Sequence, residues 1–324
     1  MKNLKSFLRH PIIEAKARYY ANYVFPSSKY LWYIKNDRKK AIDMYWVYKY
    51  RKHFPWKNPV TLNEKITWLS AVSDTSKWTE YTDKYEVRKH VKETCGEDIL
   101  TNCYGVWTNV DDINFDNLPQ SFAIKCTHDC GSTIIVKDKS SADISQIKKF
   151  LGECLSCQFG YKTIEPHYTT IQPRILAEEL LPLDDSNLSS SQIDYKLWCI
   201  NGKACFALVA YDRHLDSESK EYDGHYAIFD LYDLPSWKPM RENLTEWYRD
   251  VQFKDIPRPE NLEKMIEYAE KLAYGFPQVR IDLYNIKNHI YFGEMTFTPF
   301  TGRISLFTDE FQERIGRMII LPAI

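Results

Sequence analysis

Two short stretches near the C-terminus, QVRIDLY (278–284) and IYFGEMTFT (290–298), constrain the fold more than any other part of the chain. Each is rich in β-branched and aromatic residues, and the NIKNH between them has turn composition, so the pair reads as an antiparallel hairpin. Side chains two apart on a strand share a face, which groups Arg280 with Asp282 and Glu294 with Thr296. A three-residue loop would pair residues whose numbers have an even sum. All four side chains then lie on one sheet face, with Arg280 opposite or diagonal to Glu294. Two carboxylates, a hydroxyl and a guanidinium on an otherwise apolar face are expensive to bury unpartnered. A hard divalent cation and a phosphate between them would satisfy the group. A solvated face laced with salt bridges would do so as well.

A second unusual stretch is FAIKCTHDCGSTIIV (122–136), two strand-like runs around a small polar loop. Lys125 at a strand end beside Gly131 and Ser132 suits polyphosphate, because the ammonium neutralises charge while loop N–H groups wrap oxygens. Cys126, His128 and Cys130 alternate along the same strand, the arrangement of a three-ligand zinc site. No second Cys/His pair stands at a distance that would complete a structural one. The eight cysteines are scattered and include a C-x-x-C, Cys154 and Cys157, in a helical pattern. They read as plain thiols without a disulfide framework.

The remaining patterns mix helices with hairpins and lack strict strand–helix alternation, which predicts an α+β fold. Residues 1–70 carry helical periodicity, NPVTLNEKITWL holds a helix start at Thr61 or Asn63, and 82–96 reads as a helix ended by Gly96. A helix is expected over 141–159, introduced by Ser140, Ser141 or Asp143. RILAEELL (174–181) reads as a short strand, and LDDSNLSSSQ (183–192) as a mobile connector. DYKLWCINGKACFALVAYDR and the hairpin above are strand-rich, with a helix over 258–276 between them.

Net charge is −1, yet residues 1–60 hold 14 Lys or Arg against 3 Asp or Glu. Such a segment suits a membrane surface or an anionic glycan. No nucleic-acid motif accompanies the charge, so nucleic acid is not an expected partner. No apolar run is long enough to span a bilayer and no signal peptide is evident, so a cytoplasmic protein is expected, peripheral at most to the inner membrane face.

Two weaker signals complete a series. Lys84 stands at the start of the 82–96 helix. AEELL (177–181) is an acidic strand end suited to adenine on its backbone and a ribose hydroxyl on a carboxylate. The order Asp-Lys-helix-Gly, strand-Lys-Gly loop, E-E-L-L, R-x-D, E-x-T resembles the ATP-grasp superfamily of carboxylate–amine ligases. NPVTLNEKITWL, TDKYEVRKHV, LPQSFAIKCTHDCGSTIIV, RILAEELL, DYKLWCING and RIDLYNIKNHIYFGEMTFTP together resemble, from about residue 58 to the C-terminus, the TupA-like ATP-grasp family. That family is associated with teichuronopeptide and capsular polysaccharide biosynthesis.

The resemblance implies two α+β subdomains clasping ATP behind a helical N-terminal region. It divides the chain into a basic segment (1–58), a pre-grasp region (59–110), a small subdomain with the phosphate loop (111–181) and a large one with the metal site (182–324). It makes Lys84 and Lys125 ligands of the ATP phosphates, 127–133 with Gly131 and Ser132 the flap over them, and Glu178, Glu179 and Leu180 the adenine and ribose hinge. Asp282 and Glu294 would hold Mg2+, with Thr296 where the wider superfamily has asparagine. Arg280 would stabilise the transferred phosphoryl group, and Lys196 would face the same cleft. The loop reads T-H-D-C-G-S where the family has N-H-G-S-G, which puts the carboxylate of Asp129 near phosphates.

The implied reaction joins a carboxylate to an amine through an acyl phosphate, with ATP and Mg2+. A plausible acceptor is a uronic acid or acidic side group of a surface polysaccharide. A glycosyltransferase would need a nucleotide-sugar site, usually with a D-x-D motif; Asp111-Asp112 and Asp184-Asp185 are adjacent pairs instead. A sugar or lipid kinase on the same scaffold would transfer phosphate to a hydroxyl. An assembly protein with a decayed site would not be expected to retain both lysines, the arginine and both acids.

Overall fold

The computed structural model describes residues 28–183, 188–213 and 227–323, with isolated positions 13, 16, 19 and 20. The first 27 positions of the expected basic segment and residues 184–187 of the expected connector therefore lie largely or wholly outside the described residues. Among residues 28–183, five helices come first: α1 (Ser28–Asn36), α2 (Arg38–Tyr50), α3 (Leu62–Val72), α4 (Ser76–Thr82) and α5 (Val87–Cys95). A four-stranded sheet follows, built from β1 (Cys103–Trp107), β2 (Phe122–Cys126), β3 (Ile134–Val136) and β4 (Ile175–Glu178), with α6 (Ile144–Leu155) and α7 (Phe159–Thr163) inserted before the last strand. β5 (Asp194–Ile200), β6 (Lys203–Tyr211), β7 (Ile228–Asp233), β8 (Gln278–Ile286) and β9 (His289–Thr296) form a five-stranded sheet. α8 (Glu246–Arg249) and α9 (Leu262–Leu272) lie between β7 and β8, and α10 (Asp309–Met318) closes the described chain. The expected α+β architecture is the one observed.

Local signals explain several boundaries. Thr61 caps α3: its hydroxyl accepts from Glu64 N at 3.3 Å, while Glu64 Oε2 accepts from Thr61 N at 3.1 Å. This reciprocal box satisfies two N–H groups that the first turn leaves free. Asp143, not either serine before it, caps α6. The helix expected over 82–96 begins later, at Val87. α4 ends at Thr82 and α5 starts at Val87, because the Asp83 carboxylate accepts from Tyr85 N at 2.8 Å and Glu86 N at 3.3 Å and holds a turn there. A short acceptor competing for nearby N–H groups breaks a helix in this way. Lys84 sits in that turn rather than at a helix start.

The small sheet has the order β1-β4-β2-β3, all antiparallel. Phe122, Ile124 and Cys126 share one face of β2 and pack with Ile175, Ala177 and the α6 residues Ile147 and Leu151. Lys125 takes the opposite face. The large sheet has the order β7-β6-β5-β8-β9, also antiparallel. Its core is continuous with the helical region, since Tyr30, Ile34, Trp46, Leu62 and Val91 belong to one apolar cluster with Leu197, Ile281 and Phe297. α1 and α2 thus share a continuous core with the large sheet instead of forming one of their own. β1 belongs to the small sheet, which therefore draws on the 59–110 stretch.

The β8–β9 turn is not the three-residue loop expected. Lys287 and Asn288, at φ 51° and 62°, form a two-residue turn, with Ile286 paired to His289. Positive φ at both central positions matches the strand twist. An unbroken ladder from this turn would put Asp282 and Glu294 on opposite faces. A bulge at Gly293 shifts the register by one, so that Asp282 pairs with Glu294 and Arg280 with Thr296. The β5–β6 hairpin repeats the device, with Asn201-Gly202 in the turn and a bulge after Trp198.

Candidate functional site

One face of the large sheet gathers a cluster of charged residues from β5, β8 and β9. Pairings of Lys196 with Asp282, Asp282 with Glu294 and Arg280 with Thr296 place all five beside one another. Asp194 joins them, two positions from Lys196. The Arg280 fork grips Asp282, Nε to Oδ1 at 2.6 Å and Nη2 to Oδ2 at 2.7 Å. Its Nη2 also reaches Glu294 Oε1 and Thr296 Oγ1, both at 3.2 Å. Lys196 Nζ donates to Asp282 Oδ2 at 2.6 Å and to Asp194. Arg213 adds a bond to Asp194 Oδ2 at 3.1 Å. Burial alone would raise the Asp282 carboxyl, but Arg280 and Lys196 outweigh it and hold its pKa below the ordinary range. Burial disfavours the Lys196 ammonium, and Asp194 and Asp282 more than compensate, leaving its pKa raised. Asp282, Lys196 and Arg280 are therefore charged at neutral pH.

On the small sheet, Lys125 and Glu178 are diagonal neighbours, since Ala123 pairs with Glu178 and Lys125 with Leu176. They form an ion pair. Glu178 Oε2 also accepts from Thr101 Oγ1 at 3.0 Å, and Arg88 Nη1 lies 3.9 Å away. Burial would raise the Glu178 pKa; Lys125, Thr101 and Arg88 bring it below its ordinary value. Glu179 turns the other way, its carboxylate accepting from Asn102 N at 3.2 Å and Nδ2 at 2.7 Å. Leu180, half-buried, follows the strand end without regular structure.

The loop between β2 and β3 is braced from within. The Ser132 hydroxyl accepts from Cys126 N at 2.9 Å and donates to Asp129 Oδ1 at 2.6 Å. Asp129 is buried, 5% exposed, so its carboxylate points into the loop and not toward an incoming anion. The Lys84 ammonium donates to the Asp129 carbonyl, and Lys84 N donates to Thr127 O at 3.3 Å. Gly131 has φ 99°, in the region that glycine alone occupies freely.

The loop tip meets the large sheet. Cys130 is solvent-exposed, yet enough protein surrounds its sulfur for desolvation to raise the thiol pKa, assisted by Glu294 and Glu165 and opposed by Lys84. Tyr168 is raised well above its ordinary value by burial and then by Glu165, Glu294 and Cys130, with Arg280 opposing. Residues from the helical connector, the loop and β9 thus lie close enough to influence one another's charge. Asp194, Arg213, Arg88, Glu165 and Tyr168 are not among the site residues expected from the sequence. Asp194 carried a legible signal, being two positions from Lys196 and hence on its face.

The cysteine–histidine alternation does not form a metal centre. Cys126 and His128 are buried while Cys130 is exposed, and among the described residues no three His, Cys, Asp or Glu side chains converge to hold a metal. The donors present do fit a hard cation that takes its remaining ligands from phosphate and water. Asp282 and Glu294 face each other across paired strands, Thr296 adds a hydroxyl, and Glu294 is 42% exposed with Oε2 free of hydrogen bonds among the described residues. Lys196 and Arg280 stand beside these donors.

Solved structures similar to this chain include D-alanine–D-alanine ligase from Helicobacter pylori (14% identity, 79% of this chain and 62% of that one, TM-score 0.37). D-alanine–D-alanine ligase from Bacillus anthracis matches at 12% identity over 90% of this chain and 92% of that one, TM-score 0.42. L-amino acid ligase from Bacillus licheniformis matches at 10% identity over 74% of this chain and 49% of that one, TM-score 0.42. The chain spans a little under two thirds of the first of these ligases. None of the curated proteins compared with the chain matches it. The model of the TupA-like ATP-grasp family matches residues 64–320, and the chain belongs to that family.

Proposed function

We propose that the protein is an ATP- and Mg2+-dependent ligase that activates a carboxylate as an acyl phosphate and joins it to an amine. The observation that carries this reading is the pairing of Asp282 with Glu294 beside Arg280 and Lys196 on one sheet face. Family membership supports ATP as the nucleotide. Asp282, Glu294 and Thr296 would hold Mg2+, which when bound neutralises phosphate oxygens as a Lewis acid.

Lys84 and Lys125 bind and orient the phosphates from the small-sheet side, with the loop carrying Gly131 and Ser132 closing over them. Glu178, Glu179 and Leu180 form the strand end beside which the nucleoside lies. The substrate carboxylate attacks the γ-phosphorus; the bond to the β-phosphate oxygen breaks and ADP leaves. Arg280 and Lys196 stabilise the charge on the transferred group. The amine then attacks the acyl carbon, the carbon–oxygen bond breaks, inorganic phosphate departs with the electron pair, and the amine releases a proton. Asp282, locked by Arg280 and Lys196, stays ionised throughout.

We place the carboxylate on a uronic acid or acidic side group of a surface polysaccharide, or on its nucleotide- or lipid-linked precursor. The family's association with such pathways supports this. The basic N-terminal region supports an anionic glycan or lipid surface as partner and a cytoplasmic site of action at the inner membrane face. On α1, Leu31 and Trp32 are 43% and 57% exposed, flanked by exposed Lys29 and Lys35. No helix among the described residues is long and apolar enough to cross a membrane. Replacing Lys29 and Lys35 by Glu should reduce co-sedimentation with anionic vesicles or retention on an acidic glycan; undiminished binding to both contradicts the assignment.

The reaction is tested by incubating the protein with ATP, Mg2+ and a panel of uronates, with and without amino acids. ADP and phosphate appearing together only when carboxylate and amine are both present is the expected result. Release of UDP or GDP from a sugar nucleotide, or phosphate transfer to a hydroxyl, contradicts it.

A further inference from the structure

Lys84 reaches the phosphate loop from a turn, and a turn needs something to hold it. Thr127, the first residue after β2, is bonded through both backbone groups: its N–H donates to Arg174 O at 2.8 Å, and its carbonyl accepts from Lys84 N at 3.3 Å. Arg174 immediately precedes β4, whose other end carries Glu178. The Arg174 side chain returns to the same turn. Nη1 lies 2.7 Å from Glu86 Oε1 and 3.7 Å from Asp83 Oδ2, and the guanidinium covers the Tyr85 ring with 5.4 Å to its centre. Asp83, 2% exposed, spends its other oxygen on the Tyr85 and Glu86 N–H groups. Lys84, Thr127, Arg174 and Asp83 thus close a ring, three of its links made by hydrogen bonds or ion pairs and the fourth by the Asp83–Lys84 peptide.

We infer that Arg174, acting through Asp83 and Glu86, is a positioning residue that fixes Lys84 over the phosphate loop. The inference rests on the reading of Lys84 as a ligand of the nucleotide phosphates. A guanidinium with two carboxylates and an aromatic face fixes an orientation better than a single contact does. Without it the turn keeps its backbone bonds but gains freedom to swing, and a displaced ammonium loses the charge placement that phosphate binding needs.

The test compares wild type, Arg174→Met, Arg174→Lys, Asp83→Asn, Lys84→Met and the Arg174→Met/Lys84→Met double variant, with folding checked by thermal denaturation. Titration with MgATP should show Arg174→Met and Asp83→Asn binding about 10-fold more weakly, KM for ATP rising more than kcat falls, and Arg174→Lys, which keeps the charge but not the fork, recovering only part of the loss. The double variant should bind no more than about 2-fold worse than Lys84→Met alone, as coupled residues do. In nucleotide-free protein, amide exchange at Lys84 and Thr127–Gly131 should accelerate in Arg174→Met while β5 and β8 stay protected. If Lys84→Met binds MgATP like wild type, the underlying reading of Lys84 fails. If Lys84→Met is impaired but folded Arg174→Met and Asp83→Asn bind normally, or if the two losses multiply, this inference alone is overturned.

Discussion

Asp282 and Glu294 face each other across β8 and β9 only because Gly293 occupies a bulge between two registers. A β-carbon on Gly293 would lie 3.0 Å from the Asp282 carbonyl oxygen and 3.2 Å from the Tyr284 ring. Gly293→Val should therefore cost about 1–3 kcal/mol of stability, measurable by urea unfolding. Deleting Gly293 removes the extra residue and leaves an unbroken ladder that still pairs Asp282 with Glu294, so a folded deletion variant should keep MgATP binding. Loss of MgATP binding in a folded deletion variant would contradict a role for the bulge in register alone.

Asp129 is a brace within its loop, not a group facing the nucleotide. Asp129→Asn and Ser132→Ala should each loosen the loop, costing about 1 kcal/mol and raising KM for ATP several-fold with kcat nearly intact. Because the Ser132 hydroxyl bonds both Asp129 and Cys126 N, the double variant should add little to Ser132→Ala. Tighter ATP binding in Asp129→Asn would mean that the carboxylate repels phosphate after all.

Lys125 balances a carboxylate that is largely out of water. Lys125→Met leaves Glu178 with Thr101 and a distant Arg88, and should lower stability by about 1–3 kcal/mol. Adding Glu178→Gln should restore the melting temperature without restoring nucleotide binding. A double variant as unstable as Lys125→Met would remove the pair from the account.

His167 is 1% exposed, packed edge-on to Trp78, and burial, reinforced by Arg38, pushes its pKa down to about 3 from 6.5. The unfolded chain takes a proton below pH 6.5 that the folded chain refuses until about pH 3. Stability must then fall as pH drops through that window, by about 2 kcal/mol between pH 6.5 and 5. His167→Phe should flatten this slope in urea titrations at several pH values; an unchanged slope would show that another group governs it.

Much of this arrangement was legible in the chain because strand periodicity is a strong signal at short range. R-x-D, E-x-T and D-Y-K each place two side chains on one face, and β2 places Lys125 opposite the apolar row of Phe122, Ile124 and Cys126. What escaped was set by single backbone conformations or by distance. NIKNH fits a two- or a three-residue turn, and only the bulge at Gly293 restores the pairing that the wrong turn had predicted. The helical pattern runs through Asp83, whose carboxylate breaks it. Thr298 donates to Glu165, 133 positions away in the chain, a contact that no local period announces.

The central claim is that the nucleotide is clasped between two sheets, and equilibrium titration with MgATP tests it most directly. Wild type should bind with a requirement for Mg2+. Lys84→Met, at the small-sheet loop, and Glu294→Gln, on the large sheet, should each weaken binding at least about 10-fold while remaining folded, as loss of a charged contact predicts. Unchanged affinity in either folded variant would contradict the claim.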